Sequence, residues 1–232
     1  MYNFLKRTFD VIFSMMVLIV ASPILLIIAI GIKLSSKGPV LHVSQRVGKN
    51  GKMFTMYKFR SMHLKEENAV ENKYLVNTQR IFPLGVFLRK SKLDELPQMV
   101  NVFLGHMSIV GPRPYPKSVV ERLFIGENNV ITSVRPGLAC LDSLYDYAHG
   151  DLFVTDTEYY KNNVIPVRTE LARMYIEKRS ISLDVHCIIR TVILVIQIVV
   201  LKKKHLKLTG YEEQACNKIK SAQVDGTKKV EV

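Results

Sequence analysis

The chain has 232 residues, of which 48% are hydrophobic and 23% are charged. This composition excludes a wholly disordered chain and allows one folded domain, or one domain with an appendage. The 33 lysines and arginines outnumber the 20 acidic residues and give a formal net charge of +13. Such an excess favours an anionic partner, which could be a membrane surface, a nucleic acid or a phosphorylated substrate.

The first long apolar run covers residues 11–32 and contains no charge between Asp10 and Lys33. A straight helix of this length measures about 33 Å, enough to cross a bilayer core of about 30 Å. Ser22 and Pro23 lie at its centre, where proline kinks or breaks the helix. Basic residues flank both ends, whereas a crossing helix usually has them on one side. The residues alone leave open a spanning helix and a re-entrant hairpin, in which Ser22 would satisfy part of the broken backbone.

The chain after this run predicts a β-hairpin. Two β-like runs, Val40–Val43 and Met53–Phe59, are joined by residues 48–51, whose Asn-Gly pair is a strong hairpin signal. The polar stretch 65–79 is interpreted as a mobile or partly helical connection. The spacing of apolar residues and the residues typical of helix ends then predict a series of short elements. They are helices over 81–89, 97–104, 115–124 and 169–178, with a stop at Gly105 and a turn at 135–137.

The C-terminal part of the chain consists of an apolar stretch followed by a polar one. Its uninterrupted apolar stretch, Thr191–Leu201, is too short to span a bilayer and ends in three lysines, 202–204. Two interpretations stay open: a helix lying on an anionic membrane face, or a buried helix with a solvated end. The chain after Lys207 is polar, and we expect it to be loose.

The cysteines and histidines do not predict a metal or disulfide site. Cys140, Cys187 and Cys216 have no C-x-x-C spacing, and the six histidines form no H-x-x-x-H pair. This pattern argues against zinc and against a disulfide framework. We expect three reduced thiols without a functional role.

Two adjacent acids, Asp94 and Glu95, stand out in the stretch before Pro97. They could simply mark the start of a helix, because Ser91–Asp94 fits a capping box and proline is tolerated only in a first helical turn. They could also be catalytic. Two neighbouring carboxylates can hold one Mg²⁺, which binds one or two carboxylates together with substrate phosphates. A carboxylate can also attack phosphorus, as aspartyl-phosphate enzymes do.

A phosphate substrate would need cations against its other oxygens, and the chain supplies several candidates. Arg113 lies between Pro112 and Pro114, which fix the backbone around it. The other candidates are Arg46, Lys58, Arg60, Arg89 and Arg135. A glycosidase pair fits poorly, because its two carboxyl groups flank a bond from opposite sides.

The sequence "RKSKLDELPQMVNVFLGHMSIVGPRP", residues 89–114, closely resembles the catalytic stretch of the bacterial sugar transferase family. These are the monotopic polyprenyl-phosphate phosphoglycosyl transferases that start cell-surface glycan assembly. The resemblance covers about residues 3–204. It includes "KRTFD" at 6–10, the Ser22-Pro23 pair, the hairpin with its K-F-R-[ST]-M motif at 38–62, "VRPGL" at 134–138 and the segment 175–192.

The resemblance implies a fold class: mostly α with a small β-hairpin. It implies a re-entrant membrane anchor at residues 1–36 and a cytoplasmic-face catalytic domain with interfacial helices at 37–205. The composition of residues 206–232 predicts a polar tail after these two parts. The resemblance places the enzyme on the cytoplasmic face of the bacterial inner membrane and implies contact with membrane lipid. A homo-oligomer stays possible, and nucleic acid is not an expected partner.

The resemblance also implies a two-step reaction. Asp94 would attack the β-phosphate of a UDP-sugar donor, UMP would leave, and a phosphosugar would remain on Asp94. A polyprenyl phosphate acceptor, undecaprenyl phosphate in this expectation, would then take the phosphosugar. Glu95 would help Asp94 to hold Mg²⁺. The substrate-binding assignments are Lys58, Arg60, Arg89, Arg113, Arg135, Arg46 and its neighbour Gln45.

The chain departs from the family pattern at two places. The family usually has G-D-M-S where this chain has Gly105–Ser108 with His106, and a Gly-Trp-Ala-Gln-like segment where this chain reads "LACLDSLYDYAHGD". His106 is either a favourable cation at a helix C-terminus or the replacement of a supporting carboxylate, which would make activity depend on pH. Two rival functions stay open. His106 leaves open a catalytically weakened scaffold of the same fold, and the net charge alone favours a membrane-tethered binder of anions such as nucleic acid.

Overall fold

The computed structural model describes residues 1–64, 80–124, 126–150, 156–203 and 206–224. The predicted connection 65–79 lies outside the described residues. The described part is mostly helical, as predicted, and contains two small sheets. The elements in chain order are α1 Tyr2–Val20, α2 Ser22–Ser35, β1 Leu41–Val47, β2 Met53–Phe59, α3 Pro83–Ser91, α4 Gln98–Phe103, β3 Ser108–Val110, α5 Lys117–Leu123, β4 Gly137–Ala139, α6 Leu141–His149, α7 Thr157–Tyr159, α8 Ile165–Lys178, α9 Ile181–Val195 and α10 Gly210–Val224.

The predicted hairpin is confirmed, and its first strand is longer than expected. β1 pairs antiparallel with β2, from Leu41 opposite Phe59 to Val47 opposite Met53. The turn uses the Asn-Gly pair as predicted, because Asn50 and Gly51 both have positive φ, 55° and 75°. The strand extends through polar residues because its outer face is exposed, so the apolar run alone underestimated it.

The first half of α1 is tied to the rest of the protein by polar side chains. Arg7 donates to the carbonyls of Val102 and Phe103 at 2.7 and 2.8 Å, which satisfies the C-terminal end of α4. Buried Asp10 accepts the backbone N–H of Ile109 at 2.9 Å. These contacts explain why charged residues stand inside an otherwise apolar helix: they fix α1 to α4 and β3.

The predicted helix break at Ser22 and Pro23 is confirmed. α1 ends at Val20, α2 begins at Ser22, and the two helices are bent by 61°. The Ser22 hydroxyl donates to the Ile19 carbonyl at 2.8 Å, so it satisfies part of the broken backbone as expected. Large apolar side chains around the bend are exposed; examples are Ile19, Val20, Leu26 and Ile27.

The stretch before α4 differs from the predicted helix start. Ser91 is the last residue of α3, and its hydroxyl donates to the carbonyls of Phe87 and Leu88, so the predicted capping box is wrong. Lys92 follows in the left-handed conformation with φ of 59°. A single 3₁₀ turn, Leu93–Glu95, then carries the two acids, and α4 begins only at Gln98.

A second sheet was not predicted from the sequence. β3 and β4 pair in parallel, with Ser108 opposite Gly137 and Val110 opposite Ala139. Each strand has three residues, too few to show a period of two. The pair packs in the main hydrophobic core, which also includes buried residues of α6, α8 and α9.

The C-terminal helices correct two further expectations. α9 begins at Ile181 and continues through a π-helical segment, Ile196–Val200, so it is longer than the uninterrupted apolar run. By length and composition alone, Ile181–Val200 is long and apolar enough to cross a membrane, with a mean hydropathy of 2.1. The chain after Lys207 is not loose over 210–224, because α10 packs against α8 and buries Ala215.

Candidate functional site

The two adjacent acids are buried, and each carboxylate is paired with a different cation. The Lys58 ammonium on β2 lies 3.1 Å from Asp94 Oδ2, and the Arg113 guanidinium lies 3.5 Å from Glu95 Oε1. The two acids are neighbours in the 3₁₀ turn Leu93–Glu95, but their side chains contact different parts of the protein: Asp94 contacts β2, and Glu95 contacts the loop that carries Arg113. A role in starting a helix does not by itself explain two buried carboxylates with separate cationic partners.

The charges around Glu95 hold it ionised. Burial would raise the pKa of Glu95, but neighbouring positive charges outweigh burial and lower the pKa to about 2. The cations responsible are Arg113, Lys92, Lys58 and Arg89. Glu95 is therefore a carboxylate at neutral pH and can accept hydrogen bonds or bind a cation.

The loop that carries Arg113 is fixed from both sides. The backbone N–H of Arg113 donates to Asp142 Oδ2 at 3.2 Å, and Asp142 is fully buried in α6. The carbonyl of Pro112 accepts the N–H of Gly137 at 2.9 Å. The predicted rigid turn is thus held by a neighbouring helix and strand as well as by its own prolines.

A cavity of about 580 Å³ opens beside the two acids. Its described walls are strongly basic and include Glu95 but not Asp94, whose side chain is only 4% exposed and lies against Lys58. The basic lining residues are His42, Arg46, Lys58, Arg60, His63, Arg80, Arg89, Arg113 and Arg168.

Four of the predicted cationic substrate-binding residues, Arg46, Lys58, Arg89 and Arg113, line this cavity. Burial and the nearby charge of Arg113 lower the pKa of Arg46 to about 10. Arg60 also lines the cavity, but its guanidinium donates to the Ser36 carbonyl and the Lys37 carbonyl, both at 2.7 Å. Arg60 therefore closes the C-terminal end of α2, a role that sequence alone did not indicate.

Two predicted substrate-binding residues are not among the described residues that line the cavity. Gln45 is exposed and donates to the Thr55 hydroxyl at 3.0 Å across the hairpin. Arg135 donates to the Gly105 carbonyl at 2.8 Å. His106 is likewise outside the lining set; it is exposed, with its ring centroid 5.8 Å from that of Phe54. This position favours the helix-end interpretation of His106 over a role at the acids.

Sequence reasoning missed a buried group in the cavity wall that consists of an arginine, an aspartate and a tyrosine. Arg168 of α8 is 5% exposed and lies 3.1 Å from Asp146 Oδ2 on α6. Tyr160 donates from its hydroxyl to Asp146 Oδ1 at 2.7 Å and accepts a bond from Arg168 Nη1. An acid and a base 22 positions apart give no local signal. An arginine within an apolar helix face was the one available hint.

The two acids could bind a magnesium ion if water and a bound phosphate ligand completed its coordination shell. No group of three or more His, Cys, Asp or Glu side chains that could hold a metal occurs within the described ranges. Asp94 and Glu95 supply two carboxylates, which fits Mg²⁺ because that ion usually completes its shell with water and substrate phosphates.

The approach of β3 to β4 depends on Gly137, and replacing it by alanine should destabilise the protein. A Cβ atom there would lie 2.2 Å from the Gly111 nitrogen, which belongs to the backbone and cannot rotate away. We expect Gly137→Ala to lower stability by about 1–3 kcal/mol and the melting temperature by several degrees. Gly210→Ala is the matched control, because a Cβ there meets nothing within 4 Å. Equal melting temperatures for both variants would contradict the close approach.

Known proteins resemble this chain over most of its length. The family described as Bacterial sugar transferase matches residues 1–198. A UDP-glucose:undecaprenyl-phosphate glucose-1-phosphate transferase of Klebsiella pneumoniae is 40% identical over 189 residues, which is 81% of this chain and 39% of that protein. A UDP-N-acetylgalactosamine-undecaprenyl-phosphate N-acetylgalactosaminephosphotransferase of Aeromonas hydrophila is 32% identical, over 82% of this chain and 43% of that protein. The exopolysaccharide production protein ExoY of Rhizobium meliloti is 33% identical, over 68% of this chain and 77% of that protein.

Proposed function

Because the chain belongs to the bacterial sugar transferase family, we propose that it transfers a sugar phosphate from a UDP-sugar to undecaprenyl phosphate and releases UMP. The product would be an undecaprenyl-diphosphate sugar, the first lipid-linked intermediate of a surface glycan. The chain spans less than half the length of the Klebsiella and Aeromonas relatives, whose names state UDP-sugar and undecaprenyl-phosphate substrates. The observation that carries the proposal is a pair of buried, cation-paired acids beside a basic cavity.

In the first proposed step, an Asp94 carboxylate oxygen attacks the β-phosphorus of the donor. A new O–P bond forms, the bond from the β-phosphorus to the bridging oxygen breaks, and UMP leaves with that electron pair. Lys58 holds Asp94 oriented before the donor enters and then moves to a phosphate oxygen, which exposes the nucleophile. Arg113 and Arg89 line the cavity where the charge of the phosphates would lie, so they can stabilise it as it develops.

In the second proposed step, a phosphate oxygen of undecaprenyl phosphate attacks the same phosphorus. The Asp94 O–P bond breaks, and the carboxylate is regenerated. Glu95 is ionised before the substrates bind, because Arg113 and the other nearby cations hold its pKa well below the usual range. Asp94 and Glu95 would hold Mg²⁺ when it is bound, and its charge would offset that of the diphosphate.

The proposed location is the cytoplasmic face of the inner membrane, with α1 and α2 as a re-entrant anchor. Its support is the exposed apolar surface around the 61° bend between the two helices. The exposed apolar side of α9, with Val185, Ile189 and Val192, would lie at the same interface. A site at that depth lets a lipid-borne phosphate meet a water-soluble nucleotide sugar.

A re-entrant anchor predicts that both ends of the α1–α2 pair face the cytoplasm. Asn3→Cys and Lys37→Cys place single labels at exposed positions, in a background where half-buried Cys216 is replaced by serine. An impermeant maleimide should label both equally in inverted inner-membrane vesicles and neither in intact spheroplasts. Labelling of residue 3 only from the outer side would refute the hairpin. Pro23→Leu should straighten the pair and give mixed labelling.

The transfer itself is tested by nucleotide release. Purified protein is incubated with undecaprenyl phosphate, Mg²⁺ and, in turn, UDP-glucose, UDP-galactose and UDP-N-acetylgalactosamine. UMP should appear with at least one donor and in a one-to-one ratio with a lipid-linked sugar. Formation of UDP instead of UMP would refute sugar-phosphate transfer, because UDP would mean that the sugar alone is transferred.

A further inference from the structure

Arg168 has one edge of its guanidinium paired and the other unpaired, although the side chain is 5% exposed. Nη1 contacts Asp146 and Tyr160. Nε and Nη2 are buried and have no hydrogen-bond partner within the described part of the chain. Leaving two charged donors unsatisfied in a protein interior is costly, so such an edge calls for an explanation.

The paired edge fixes the direction of the unpaired one. Asp146 accepts a hydrogen bond from Tyr160 and forms an ion pair with Arg168, and the three side chains form a closed buried group between α6 and α8. The Arg168 guanidinium also lies over the ring of Tyr115, 5.5 Å from its centroid. Nε and Nη2 point along the same side of a planar guanidinium, the side that binds two oxygens of one carboxylate or phosphate.

Lysine and arginine side chains outnumber acidic side chains among the described residues that line the cavity. Arg168, Arg46 and Arg113 all line the cavity. Arg46 has its Nε buried and unpartnered among the described residues, and the closeness of Arg113 adds to burial in lowering its pKa to about 10. An anion would relieve both the unpaired donors and the repulsion between the two arginines.

We propose that the Nε–Nη2 edge of Arg168 is an anion subsite of the cavity that holds one oxyanion of the ligand with two hydrogen bonds. The identity of that ligand as a UDP-sugar rests on the proposed function. The oxyanion then has two sources: a phosphate of the diphosphate, or a carboxylate on the donor sugar. Tyr115, Asp146 and Tyr160 keep the edge oriented, and a small movement of the wall opens it to the ligand.

Binding measurements on the full-length protein in detergent test the subsite without requiring turnover. The probes for isothermal titration calorimetry are inorganic pyrophosphate, UDP-glucose and UDP-glucuronic acid. We expect Arg168→Gln to weaken binding by about tenfold or more, because hydrogen bonds to charged groups are strong. Arg173→Gln is the matched control: it removes an arginine from the same helix α8, where that residue pairs with Glu170 away from the cavity lining.

The pattern of loss identifies the source of the oxyanion. Weaker binding of all three probes supports a phosphate at Arg168, and weaker binding of UDP-glucuronic acid alone supports a carboxylate. Unchanged binding of all three at an unchanged melting temperature would overturn the proposal, as would a wild type that binds none of them. If Arg168→Gln fails to fold, the same binding measurements are made on Arg168→Lys. Lysine can keep the ion pair with Asp146 but has no second pair of donors for an oxyanion.

For Arg168→Lys, weakened binding at the wild-type melting temperature supports the subsite, and unchanged binding refutes it. Failure of both variants to fold would assign Arg168 to packing between α6 and α8, against the proposal. UMP release is followed in parallel. A wild type that binds pyrophosphate but releases no UMP would refute the proposed function while the comparison of Arg168 variants stayed valid.

Discussion

Replacing Asp94 by asparagine should lower the rate of UMP release by about 10⁴-fold. Asparagine keeps the shape of the side chain but lacks the negative charge that attacks phosphorus. The substitution also removes the partner of Lys58, which lies 3.1 Å from the carboxylate. Initial rates with saturating donor and acceptor measure the loss, and circular dichroism with a melting curve shows whether the fold is retained.

A matched variant separates loss of the nucleophile from loss of the ion pair. Lys58→Gln breaks the same contact but keeps the Asp94 carboxylate, so it should still release UMP, at a reduced rate. Because Asp94 is 4% exposed and Lys58 is 19% exposed, Lys58→Gln leaves the more deeply buried charge unpaired and should lower the melting temperature at least as much as Asp94→Asn. An Asp94→Asn protein with activity within tenfold of wild type would rule out Asp94 as the nucleophile.

Replacing Arg113 by lysine should lower kcat by about 10²-fold, the cost of losing one fixed donor to a developing charge. Lysine keeps the positive charge opposite Glu95, so Glu95 should remain ionised and the fold intact. What lysine lacks is the planar pair of donors that grips a phosphate. The backbone contacts of position 113 with Asp142 do not involve the side chain, so they remain in the variant.

The control for Arg113 is Arg122→Lys on α5, an arginine that donates to the Ser118 carbonyl and does not line the cavity. Steady-state kinetics should show a fall in kcat for Arg113→Lys and none for Arg122→Lys. If Arg113→Lys is as active as wild type, Arg113 only shapes the loop between its two prolines, and the cavity uses other cations.

Local signals in the sequence predicted several elements well. The Asn50-Gly51 turn and the break at Ser22-Pro23 follow from backbone preferences of single residues, which act wherever the chain is placed. The two adjacent acids could be singled out because they lie in one contiguous stretch, but their cationic partners could not. Lys58 and Asp94 are 36 positions apart, so their contact could not be derived from spacing.

Features that depend on distant contacts were missed or misplaced. Ser91 was read as a helix cap but ends α3, because Lys92 takes a left-handed conformation that turns the chain. The substrate-binding assignment of Arg60 stays a prediction, and its contacts with the Ser36 and Lys37 carbonyls just after α2 could not be derived from local spacing. The helix α10 has a polar sequence overall, but its few apolar residues, Tyr211, Ala215 and Ile219, share one face and pack against the main core and α8.

Intact-protein mass spectrometry with donor alone tests the covalent mechanism without any substitution. Wild-type protein that releases UMP in the presence of undecaprenyl phosphate is incubated with the same donor and Mg²⁺ but no acceptor, then measured at once. The mechanism predicts a species heavier by one sugar phosphate, absent from Asp94→Asn, with fragmentation placing it on Asp94. An unmodified mass from a preparation whose turnover has been confirmed would contradict the covalent step and favour direct transfer between the two substrates.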